Sequence, residues 1–220
     1  LIWSHCDIFI IGNGLANNGI GSAIDFLARN QEIRLTSNIL STDGAAWEIL
    51  RHSPEEKKEP VADQINGLIQ NLSDWSKSYN MKLKDVLVRL SGGVQDIVLG
   101  KLSLVQADPV KKSQESGGQS QSTPEEAVNI VLEMAGAAVF KNDKIAGYLS
   151  LVEARSYSRI INEINLQSMN IFLNKLSQPL NIETFRSKSK IEYREKENKI
   201  NFDITIEESS RLSEQNSGLN

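Results

Sequence analysis

Gly12-Asn13-Gly14-Leu15-Ala16-Asn17-Asn18-Gly19 is the stretch whose residue types come nearest to chemistry. A glycine loop between a strand and a helix can hold the phosphates of a dinucleotide on its backbone N–H groups. That use needs Gly-x-Gly-x-x-Gly, with an acidic residue about 20 positions further on. Here Asn17 stands at the third glycine position, where a side chain hinders close helix–strand packing. Asp43 comes late and reads as a helix cap. The glycines are expected to make a tight turn, with no nucleotide and no other cofactor bound.

His5 and His52 are the only histidines, and Cys6 is the only cysteine. An internal disulfide is impossible. A metal site would need carboxylates at spacings that match no ligand pattern. His5-Cys6 has the residue types of a nucleophile pair, but neighbours on a strand point to opposite faces. Cys6 is therefore expected to be a buried small hydrophobe, and the histidines structural or exposed. Trp3, Trp47 and Trp75 fall on different elements and form no platform for bases or sugars. No catalytic constellation emerges, and the chain is not expected to be an enzyme.

Charge narrows the partners. The 220 residues carry 24 basic and 28 acidic side chains, a net charge of -4. Residues 1–105 hold 10 basic and 12 acidic groups, and residues 106–220 hold 14 and 16. Neither half is basic, so no nucleic-acid partner is expected. Locally, Arg186, Lys188, Lys190, Arg194, Lys196 and Lys199 oppose Glu192, Glu195 and Glu197. That +3 could meet lipid headgroups or an acidic partner, but a solvent-facing hairpin with cross-strand charge pairs is the expected reading. Glu55-Glu56-Lys57-Lys58-Glu59 reads as a solvated loop. No run of 18 apolar residues marks a membrane span.

The elements that must carry these residues follow from periodicity. Asp7 to Ile11 reads as a buried strand, Ala16 to Asn30 as a helix, and Ile33, Leu35 and Ile39 as an alternating strand. Asp43 caps a short helix through Leu50. Pro60 opens a helix with the stripe Val61, Ile65, Leu68, Ile69 and Leu72. Leu83, Val86, Leu87 and Leu90 mark another, stopped at Gly92-Gly93. Ile97 to Val105 is a strand. From Gln106 to Thr123 the chain is too polar to offset its ordering entropy, and residues 106–124 read as a linker or long loop. Thr123-Pro124-Glu125-Glu126 reads as a capping box, and Ala127 to Met134 fits helix or strand. Asn142-Asp143 turns a hairpin, and Ser150-Leu151-Val152-Glu153 is a capping box whose helix buries Leu151, Ile160, Ile161 and Ile164. Ile191 and Tyr193, then Ile200, Phe202, Ile204 and Ile206, alternate with polar residues as two strands with one wet face. The fold class is α+β, with mixed domains of a small sheet and packed helices. The boundary is expected between residues 1–105 and 125–220.

The order of these segments carries a resemblance. His5-Cys6-Asp7-Ile8-Phe9-Ile10-Ile11-Gly12, Gly14-Leu15-Ala16, Gly19-Ile20, Ala23 to Asn30 and Glu32-Ile33-Arg34 resemble the central block of the Ger(x)C family. Ala138 to Leu149 followed by Glu153 resembles the hairpin and helix that open that family's C-terminal domain, and Pro60 to Ile65 fits the helix between. These are the C subunits of nutrient germinant receptors in endospore-forming bacteria. The resemblance implies a non-enzymatic lipoprotein on the outer face of the spore's inner membrane, acting beside A and B subunits. Residues 1–105 then correspond to the later part of the N-terminal region, and residues 125–220 to the first part of the C-terminal domain. The lipid anchor is expected upstream. Cys6, preceded by Ser4-His5 rather than small residues and placed in a strand, is not it. The chain is expected to be a piece of a longer protein, with Ile200 to Ile206 exposing an edge. Gly12, Gly19, Arg34, Phe140 and Gly147 are motif positions expected to be structural: turns, an ion pair for Arg34, and core for Phe140. The alternative function is a surface-exposed module that binds a small molecule, which would need a concave pocket.

Overall fold

The computed structural model describes residues 3–52, 60–72, 78–93, 96–106, 130–162, 167–171, 180–196 and 199–214. Several expectations lie outside these residues: the linker beyond Gln106, Glu55 to Glu59, Trp75, the capping box at Thr123, and Ile164.

Strand β1 (Ile8–Ile11) lies parallel to β2 (Asn38–Thr42), and β2 lies parallel to β4 (Ile97–Gln106). The two-residue strand β3 (Met81–Lys82) pairs antiparallel with the start of β2. β5 (Ile130–Lys141) and β6 (Lys144–Leu149) then extend the sheet antiparallel, in the order β1-β2-β4-β5-β6. The segment that fitted either helix or strand is thus strand from Ile130 onward. The pairing of β4 with β5 carries the sheet across the 106–124 stretch, so sheet membership does not divide at that boundary.

Helices cover this sheet on both sides. α1 (Asn13–Asn18), α2 (Gly21–Arg29), α5 (Leu83–Gly92) and α6 (Leu151–Ile160) bring Ala16, Ile24, Leu27, Leu83, Val86 and Ala154 into one core with Ile39, Leu99 and Phe140. α3 (Ala46–Arg51) and α4 (Val61–Gln70) bring Ile49 and Ile65 against Leu40, Leu102 and Met134 on the other. Adjacent residues Ile39 and Leu40 therefore feed opposite cores, and every residue of β2 is buried. This explains why the strand predicted over Ile33, Leu35 and Ile39 begins only at Asn38. A parallel strand buried on both faces has no alternating pattern to detect.

Two other local expectations change. The helix predicted over Ala16 to Asn30 is two helices, because Gly19 has φ 117 and interrupts the α ladder. The N-cap of α3 is Ala45, not Asp43, and no side chain caps it. The Asp43 carboxylate instead meets Lys101 Nζ at 3.1 Å. Expected signals hold at Gly93, which ends α5 with φ 61, and at Ser150–Glu153, where both capping-box hydrogen bonds form.

A second sheet, β7 (Gln167–Ile171), β8 (Leu180–Lys196) and β9 (Lys199–Glu214), is antiparallel throughout. Beyond the last β7 pairing at Thr184, β8 and β9 continue as a two-stranded ribbon. Register puts Ile191 opposite Ile204 and Tyr193 opposite Phe202, so one face is apolar. Both faces of the ribbon are exposed rather than one: Tyr193 is 76% exposed, Phe202 65% and Ile204 49%.

Candidate functional site

The two stretches that carry the family resemblance are more than 100 residues apart in sequence, and the fold presses them together. The β5–β6 turn docks at the α1–α2 break, where the Ile20 N–H donates to the Asp143 carbonyl at 2.8 Å. A Cβ built on Gly19 would stand 2.6 Å from Asp143 Oδ2. The carboxylate can swing away, so the backbone conformation carries the requirement for glycine. Gly19→Val is expected to cost about 1–3 kcal/mol, read as a lower midpoint in urea unfolding, whereas Gly14→Ala, with open space at its Cβ, should leave the midpoint near wild type.

Beside that contact, the ends of β1 and β2 form a polar cluster. Gly12 precedes α1 with ordinary φ -75, and its Cβ would stand 3.1 Å from Ala46 N, so close approach to α3 selects glycine there. The Asn13 N–H donates to the Gly44 carbonyl at 2.9 Å. From β6, the Tyr148 hydroxyl reaches within 3.4 Å of Asn13 Oδ1 and 3.5 Å of the Thr42 carbonyl oxygen. Lys101 Nζ lies 5.7 Å from the Tyr148 ring centroid while it pairs with Asp43. Asn17 Nδ2 donates to Asn13 Oδ1 at 2.7 Å. These hydrogen bonds and the Asp43–Lys101 pair tie β6 to the ends of β1 and β2.

Burial, with Asp43 nearby as a lesser cause, raises the Tyr148 pKa above its ordinary 10.0. The folded state therefore holds the phenolic proton more tightly than the unfolded chain does. Stability from this group is complete below pH 10 and declines as pH rises through the raised value. In Tyr148→Phe that alkaline decline should become shallower, measured as Tm between pH 9 and 11.

Of the motif positions, Gly12 and Gly19 belong to this junction, and Phe140 sits at its root, fully buried on β5. Arg34 lies apart, with Nη1 3.6 Å from Asp7 Oδ1 and both side chains more than half exposed. Such a pair contributes at most about 1 kcal/mol. Gly147 adjoins an irregularity where Val139 pairs with it but Phe140 pairs with Ile145, and a Cβ there would meet nothing. Asn13, Lys101 and Tyr148 were missed by sequence reasoning, because their partners are set by strand order rather than by spacing.

His5 and Cys6 do not alternate along a strand as expected, since Trp3–His5 is a 3-10 turn and β1 starts at Ile8. Cys6 is half-buried with Sγ 3.6 Å from the Ile8 carbonyl oxygen, His5 is exposed, and His52 ends α3. Trp3 packs on Phe9 and Phe26, and Arg51 lies over Trp47. Among the described residues no three His, Cys, Asp or Glu side chains converge as a metal site. No helix among them is long and apolar enough to cross a membrane.

Comparison with known proteins places both halves in one family. The spore germination protein N-terminal domain matches residues 1–104. The C-terminal region described as spore germination B3/GerAC-like matches residues 135–220. No curated protein matches the chain. A crystal structure of the GerBC protein shares the fold with a TM-score of 0.66 at 16% identity, over 98% of this chain and 56% of its own length. The chain thus spans just over half of that solved protein. Two domain signatures in family order, on a fold shared with GerBC, show that this chain belongs to the Ger(x)C family of spore germination proteins.

Proposed function

We propose that the chain is part of a non-enzymatic C subunit of a nutrient germinant receptor, acting by assembly with the A and B subunits. The observation that carries this reading is the pair of germination-protein signatures in family order, joined by the Ile20–Asp143 hydrogen bond. The contacts that tie Tyr148 to Asn13 and Thr42 fit a scaffolding role for this junction. In this reading residues 1–105 are the later part of the N-terminal region, residues 106–124 link, and residues 125–220 begin the C-terminal domain. Gly12, Gly19, Arg34, Phe140 and Gly147 serve structure. A lipid anchor outside these residues holds the subunit at the outer face of the spore's inner membrane and raises its local concentration near its partners.

The tether is tested by the intact mass of the full-length protein extracted with detergent from native spore membranes. The expected mass includes diacylglycerol on an N-terminal cysteine. An unlipidated protein, released without detergent, would remove the tether from this reading.

A further inference from the structure

The two family regions meet inside one sheet. The first matches residues 1–104 and ends within β4, and the second matches from residue 135, within β5. Those two strands pair antiparallel from Ile97 opposite Phe140 to Gln106 opposite Ile130. On its other side β4 pairs with β2, so this central strand draws its ladder partners from both regions.

Further contacts cross the same line. Phe140, Ala138 and Ala154 share one core with Ile24, Ile39 and Leu99, and all six are fully buried. The buried Ser78 hydroxyl donates to the Gly136 carbonyl at 2.6 Å. The Tyr79 and Tyr157 rings meet edge to face with their centroids 5.6 Å apart. Without β5 the edge of β4 would be bare, and Leu99 and Leu102 would lose Ala138 and Met134 from their cores. Without β4, β5 and β6 would be a two-stranded hairpin, which is marginally stable at best in water.

We infer that the two family regions form one cooperative folding unit, in which the part from Ile130 onward donates β5, β6 and α6 to the sheet of the first region. The edge of β4 is an interaction surface, and its partner is β5, added as a strand. The covalent path from Gln106 to Ile130 is then dispensable for their association. A partner that engages either region moves both, because the sheet and both cores run across the boundary. This inference concerns the fold of the chain itself and is independent of the receptor-subunit reading.

The test splits the full-length protein into two co-expressed polypeptides, one ending at Gln106 and the other starting at Ile130, with an affinity tag on the first. The expected result is a complex of the two that elutes as a single species and separates only in denaturant. Independent elution of the two pieces overturns the inference. So does a first piece that, expressed alone, keeps the β2 amides protected from hydrogen exchange. A second measurement uses the unsplit full-length protein. Exchange in rising urea should show the amides of β2 and those from Ala137 to Phe140 of β5 opening together, with one free energy. Amides of that β5 stretch that open more than about tenfold more often than those of β2 would overturn it as well.

Discussion

Gly100→Ala should lower stability by about 3 kcal/mol or more, a Tm decrease of about 6–12 °C for a chain of this size. Gly100 lies in the middle of β4, where the ladder with β5 shifts register between Gly100 and Leu102. A Cβ there would overlap the Tyr79 carbonyl oxygen and Met134 Cε, and would stand 3.0 Å from Ser78 Oγ. The Met134 end can move, but the Tyr79 carbonyl belongs to backbone that runs straight into β3. Ser78 also donates to the Gly136 carbonyl at 2.6 Å, so displacing this segment disturbs β5 as well. A control is Gly67→Ala, where the added Cβ meets nothing. Equal unfolding midpoints for the two variants would contradict the packing described at Gly100.

Phe140→Ala should cost about 3–5 kcal/mol. Phe140 is fully buried on β5, opposite Ile97 on β4 and Ile145 on β6. Truncation leaves a cavity in the core formed by α2, α5 and α6, directly behind the turn that docks on Gly19. Phe140→Leu keeps most of the volume and should recover more than half of the loss. Chemical denaturation of the three proteins measures both effects. Because Phe140 anchors the hairpin, its loss should also reduce protection of the Ile20 amide, which donates to Asp143, in hydrogen exchange.

The readable parts of this fold were those whose cause is local. Ser150–Glu153 caps α6 through its own side chains, Gly93 ends α5 by conformation, and Asn142 turns the hairpin with φ 58. The amphipathic stripes of α4 and α5 point to the sheet as their spacing requires. What could not be read depends on neighbours distant in sequence. β2 hides its strand period because helices cover both faces. Asp43 looks like a cap until β4 brings Lys101 to it. The +3 of residues 186–199 disappears once β9 lies beside it. Gly100 had a weak signal, since a glycine inside a strand pattern marks a bulge or a close backbone approach. Of the polar junction, the glycines were visible as a turn, but nothing in their spacing points to Tyr148.

Germinant-receptor assembly is the central claim, and affinity purification of the tagged full-length protein from detergent-solubilised spore membranes tests it most directly. The expected result is that A- and B-type receptor subunits elute with the wild-type protein at comparable amounts, and that Gly19→Val reduces all three together. Recovery of the protein alone, from spores that still germinate in response to nutrients, would contradict it.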